Sequence, residues 1–94
     1  YKIENTKKVQ LEQVAEHLEE HVNYLKKQYA NNIFIASGRK VPRTGGVILS
    51  KLKNKDELLQ ILDQDPFKIH DLADYTIVEF IPSMTSEGFD MLKE

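Results

Sequence analysis

Ninety-four residues, 40% hydrophobic and 30% charged, with a net charge of −2, are enough for one domain with one modest core. The weakly acidic balance argues against a nucleic-acid or membrane binder, since such proteins carry a basic excess. The absence of cysteine excludes disulfides, thiol nucleophiles and thiolate metal sites together. No apolar run is long enough to span a bilayer and no signal-peptide pattern opens the chain, so a cytoplasmic protein is expected. The chain starts on Tyr1 rather than Met, as if a short leading piece had been removed.

Tyr1-Lys-Ile-Glu alternates apolar and polar residues and reads as a first strand, with 6–9 as the turn that follows. Leu11 to Tyr29 is the longest periodic segment. Leu11, Val14, Leu18, Val22, Leu25 and Tyr29 recur at helical spacing and predict one amphipathic helix that fades at Asn31-Asn32. His21 falls about 60° from Leu18 on that helix, at the edge of the stripe. Ile33 to Ser37 and Val47 to Lys51 read as two strands of a hairpin, joined by the basic, turn-rich stretch Arg39 to Gly46. Asn54 is placed to cap a second helix, with Leu58, Leu59, Ile61 and Leu62 inward and Asp56 and Glu57 in its first turn. That helix ends before Pro66. An irregular piece through Asp71 leads to a fourth strand from Tyr75 to Ile81, and Phe89 and Leu92 suggest a loose amphipathic turn at the end.

The order β-α-β-β-α-β is the ferredoxin-like arrangement, an α+β sandwich in which an antiparallel sheet carries both helices on one face; 1–94 form a single domain. The runs IFIA, VIL and TIVEFI are apolar at consecutive positions, so both sheet faces call for burial. Two helices cover only one. A homodimer packed through the open sheet faces is therefore expected.

Several residues have types suited to chemistry. His17-Leu-Glu-Glu-His21 matches the inverted zinc-protease pattern H-x-x-E-H, but no separate third ligand is evident and a solvated helical face is the better reading, so no metal is expected. His21 has the residue type of a general base, imidazole being the side chain that titrates near neutrality. Periodicity alone favours a boundary histidine bonded to a neighbour. Asp65, before Pro66-Phe67, either orients an imidazole or satisfies nearby amides at a helix end, and its position alone favours the second. Arg39, Lys40 and Arg43, with the amides around Gly38 and Gly45-Gly46, could hold a carboxylate or phosphate, although such loops are usually just solvated. Ser37 has no local partner that would make it a nucleophile, and His70 reads as simply exposed.

Taken together, His21 followed by Tyr24-Leu25, the Ala36-Ser37-Gly38 strand end, Asp65-Pro66-Phe67 and the closing strand Tyr75 to Phe80 before Pro82 make the chain resemble the YciI-like (YCII-related) family of dimeric α+β barrel proteins. The resemblance implies sheet-to-sheet dimerisation and a site in which His21 pairs with Asp65. Ser37, Gly38, Arg39, Arg43 and Phe67 are expected at the substrate, the two arginines because their loop would rim the pocket. Relatives by this resemblance include a chlorohydroxyhydroquinone dehydrochlorinase, and muconolactone isomerase shares the broader fold. Where many members have a proline after the strand-end glycine, this chain has Arg39, and the loop reads RKVPRTGG. The expected protein is thus a cofactor-independent lyase or isomerase acting on a small, anionic organic molecule. The alternative is a non-catalytic small-molecule binding module using the same pocket. A purely structural oligomerisation domain is the third reading.

Overall fold

The computed structural model describes residues 1–92, the side chain of Leu11 excepted. Four strands form one antiparallel sheet: β1 (Lys2–Lys7), β2 (Phe34–Arg39), β3 (Gly45–Ser50) and β4 (Ala73–Val78), in the order β2-β3-β1-β4. This is the ferredoxin-like order. The period-2 alternation of β1 decides which face is which. Ile3 lies opposite Ile48 on one side and Ile77 on the other, giving a row of isoleucines beneath the helices. Lys2 lies opposite Leu49 and Val78 on the other face. The core gathers on the first face from Tyr1, Ile3, Tyr24, Phe34, Ile48, Leu58 and Leu62.

The open face is less apolar than the strand runs suggest. Leu49 and Val78 are partly exposed there, but β1 contributes Lys2 and Glu4, paired at 3.1 Å, and Lys40 reaches Glu4 at 3.4 Å. Beyond this face, Phe80, Ile81, Met84 and Met91 are exposed in the segment after β4. The fourth strand ends at Val78 rather than at Ile81 because its partner, β1, begins at Lys2, opposite Val78.

The first helical segment differs from a single rod. It breaks at His17 into α1 (Leu11–Glu16) and α2 (Leu18–Ala30), with His17 at φ −111°, ψ 8°. The buried face of α2 is also not the apolar stripe. His21, Tyr24 and Gln28 are buried, whereas Leu18, Val22 and Tyr29 are 36–42% exposed; the Leu11 side chain lies outside the described residues. The helix is rolled by about 100° from the expected facing. The three buried residues follow their own i, i+3, i+7 spacing, and two of them have partners inside: the Tyr24 hydroxyl donates to the Ile61 carbonyl at 2.8 Å, and His21 has the partner described below. The displaced apolar stripe lines a cavity instead.

Helix α2 closes as the paired asparagines predict. Asn32 adopts φ 60°, the Ile33 N–H donates to the Gln28 carbonyl and the Asn32 N–H to that of Tyr29, a Schellman closure. Asn54 caps α3 (Lys55–Leu62), its side chain accepting the Glu57 N–H at 3.0 Å, and Leu58 and Leu62 are fully buried. The stretch after it is not irregular. It forms a one-turn helix, α4 (Pro66–Ile69), and a 3-10 turn (Asp90–Leu92) ends the described chain.

Candidate functional site

The site starts from α4. Asp65 is its N-cap, with Pro66 in the first helical position, where a missing N–H costs nothing. The carboxylate is wholly buried. Its Oδ1 accepts the Phe67 N–H at 3.0 Å and lies 2.7 Å from His21 Nδ1, while its Oδ2 accepts the Tyr75 hydroxyl at 2.5 Å. A carboxylate oxygen only accepts, so Nδ1 carries the hydrogen and Nε2 is left as the basic nitrogen. Asp65 thus caps a helix and contacts an imidazole at once, so the two readings weighed from the sequence do not compete.

The His21 ring is clamped on its flat side. Phe67 stacks on it with centroids 3.9 Å apart and planes 6° from parallel. Phe67 is itself held at both backbone ends. Its N–H goes to Asp65, and its carbonyl accepts the Leu72 N–H at 2.8 Å in a second Schellman closure, in which Asp71 adopts φ 53°. Among the described residues, no hydrogen bond engages Nε2. The imidazole forms part of the wall of a cavity of about 240 Å³ between α1, α2 and the sheet. Val14, Leu18, Val22 and Leu25 line the helix side, which is where the apolar stripe goes.

The other end of the cavity is cationic. Arg39 and Arg43 line it, joined by Lys7 from β1. Lys40, which the sequence groups with the two arginines, instead reaches Thr6 Oγ1 at 3.1 Å and Glu4 at 3.4 Å. Strand alternation separates it from Arg39. The loop glycines also have a structural duty: a Cβ on Gly45 would overlap the Asn5 carbonyl, and the Gly46 N–H is taken by the Asn5 side chain at 2.6 Å. That amide is thus not free for an anion. Ser37 lines the cavity with Gly38, its hydroxyl bonded to that of Tyr29 at 2.5 Å.

All the candidate residues thus converge. His21, Ser37, Gly38, Arg39, Arg43 and Phe67 line one cavity, and Asp65 lies behind His21, out of contact with the space itself. Sequence reasoning missed Lys7, Asn5 and Tyr75. Tyr75 had a signal, since an aromatic at an inward position of a strand carries a hydroxyl that needs a partner. Burial and the Asp65 charge push the phenols of both Tyr75 and Tyr24 far above their usual range, so both are neutral donors beside the carboxylate.

The H-x-x-E-H pattern is pulled apart. His21 turns to Asp65, while His17, at the break between α1 and α2, stacks on His70 with centroids 3.9 Å apart. His70 is therefore not simply exposed.

A four-stranded sheet in this order, with the helices on one face and a histidine–aspartate pair at the wall of the cavity between them, defines a ferredoxin-like α+β domain. The family model of the YCII-related domain matches residues 2–81, and the chain belongs to that family. No curated protein and no solved structure matches it.

Proposed function

We propose that the domain is an acid/base enzyme of lyase or isomerase type, acting on a small organic anion. The observation that carries the reading is the 2.7 Å contact from His21 Nδ1 to a fully buried Asp65, with the same imidazole on the cavity wall. A histidine oriented by a carboxylate on one nitrogen presents the other as a base, and side chains alone can then move a proton on carbon or oxygen. Arg39, Arg43 and Lys7 would hold the anionic group, while the apolar wall takes the carbon skeleton. Ser37, Gly38 and Phe67 shape the space between.

Hydrogen–deuterium exchange at carbon, followed by NMR on a panel of hydroxylated ring carboxylates and lactones in heavy water, tests this directly. Wild type should catalyse exchange on at least one compound, and His21→Ala should slow it by roughly 10²-fold or more. An unchanged rate in the variant would remove His21 from the mechanism. Compounds that bind without exchanging would instead favour the non-catalytic binding module.

The working unit in this reading is a cytoplasmic homodimer joined through the open sheet face. Half-exposed Leu49 and Val78 support it, together with Phe80 and Ile81 just beyond. Sedimentation at micromolar concentration should give twice the 10.9 kDa chain mass, and Leu49→Glu should shift it to the monomer. A wild-type monomer under those conditions would end the dimer proposal. Among the described residues, no helix is long and apolar enough to cross a membrane.

A further inference from the structure

His17, Glu20 and His70 come together outside the cavity, brought there by two separate elements. Each offers one ligand-type atom, and the three atoms lie within 4.8 Å of one another. His17 Nδ1 is 3.7 Å from Glu20 Oε1, and His70 Nε2 is 3.9 Å from Glu20 Oε2. Both distances are too long for hydrogen bonds. Among the described residues, moreover, the buried His17 Nδ1 has no hydrogen-bond partner, a state that a buried imidazole nitrogen rarely keeps. A shared ion would satisfy all three groups once the His70 side chain turns toward it, since first-row ions hold nitrogen and oxygen ligands at roughly 2.0–2.2 Å.

We infer that His17, Glu20 and His70 form a binding site for a divalent transition-metal ion such as Zn²⁺. Two imidazoles and one carboxylate are the ligand set that such ions take in place of Mg²⁺ or Ca²⁺, which prefer all-oxygen shells. The positive end of α2 lies nearby, but Glu19 and Glu20 in its first turn offset it. Binding requires the His70 ring, half exposed and now stacked within 20° of parallel on His17, to swing out of the stack so that both ring planes point at the ion. The Schellman closure at Asp71 holds the backbone beside it while the side chain turns.

The position suggests what the ion would do. His17 and His21 lie one turn apart at the start of α2, and Phe67 and His70 lie three residues apart at α4, so two stacked pairs run in parallel: His21 on Phe67 and His17 on His70. A metal at the second pair would tie α2 to α4 and so brace the His21–Asp65 contact without touching the cavity. The inference is independent of the reaction proposed above.

The test is calorimetric titration of zinc chloride into the untagged chain at neutral pH, with His70→Ala, Glu20→Gln and His21→Ala alongside. Wild type should take up one equivalent. His70→Ala and Glu20→Gln should each weaken uptake by roughly tenfold or more, while His21→Ala should leave it intact. Zinc should also raise the thermal midpoint of wild type but not of His70→Ala, a readout independent of any activity. No uptake by wild type, uptake that survives His70→Ala, or uptake lost in His21→Ala would each overturn the site.

Discussion

Asp65→Ala should lower the stability of the domain by about 3–5 kcal/mol, a large part of the roughly 5–15 kcal/mol that holds a domain of this kind together. The carboxylate is fully buried and accepts three donors: His21 Nδ1–H, the Phe67 N–H and the Tyr75 hydroxyl. Alanine leaves all three without a partner in a space that water does not reach. Each buried orphan costs about 1–3 kcal/mol. Loss of the N-cap adds to this, because α4 is only one turn long and has little else to hold its start. Asp65→Asn should cost less, since it keeps the shape and one acceptor oxygen. It should damage activity nearly as much, because a neutral amide no longer stabilises the imidazolium that forms when His21 takes up a proton. Urea midpoints at constant slope read the stability change. A loss below about 1 kcal/mol in Asp65→Ala would mean that the carboxylate is not the hub of this network.

The second large effect is alkaline. Burial first, and the Asp65 charge second, raise the phenols of Tyr75 and Tyr24 well above the ordinary tyrosine value of 10.0. In the unfolded chain both ionise near that ordinary value; in the folded chain both stay protonated. The unfolded state therefore releases protons that the native state keeps. The stabilisation from this pair is whole below pH 10 and is lost as the pH rises above it. With two such phenols the stability should fall by about 2.7 kcal/mol per pH unit on that limb, at about 1.4 kcal/mol for each. The tyrosinate absorbance of Tyr24 and Tyr75, isolated as the difference from Tyr24→Phe and Tyr75→Phe, should rise together with unfolding rather than ahead of it. Tyr24→Phe should halve the slope while sparing the Asp65 network, since its hydroxyl donates to the Ile61 carbonyl and not to the carboxylate. A slope unchanged in Tyr24→Phe would show that the alkaline limb belongs to other groups.

Local patterns carried much of this protein. The alternation in β1, the Asn54 cap, the Asn31-Asn32 helix end and the break before Pro66 are short-range features, and each is found where its own chemistry sets it. The element order followed from them. The facing of α2 did not. Periodicity identifies an apolar stripe but cannot say whether the stripe meets the core or a cavity; here it meets a cavity, and the row of His21, Tyr24 and Gln28, the first two hydrogen-bonded, takes the core. The short helix α4 was hidden for a related reason. Four residues show no period, and what stabilises them is a cap and a closure that become visible only with Asp65 and Leu72 in place.

By itself, then, the sequence determined the α+β class, the strand and helix order and the residues able to carry chemistry, because these depend on side-chain type and spacing along one chain. Which of them meet does not follow from spacing; the family resemblance pairs His21 with Asp65, and tertiary packing is what brings them together. His21 and Asp65 lie 44 positions apart, and nothing local requires the histidine to choose that carboxylate over those of Glu19 and Glu20 on its own helix. The packing of α4 against α2 makes the choice, by carrying a buried, capped aspartate up to the ring.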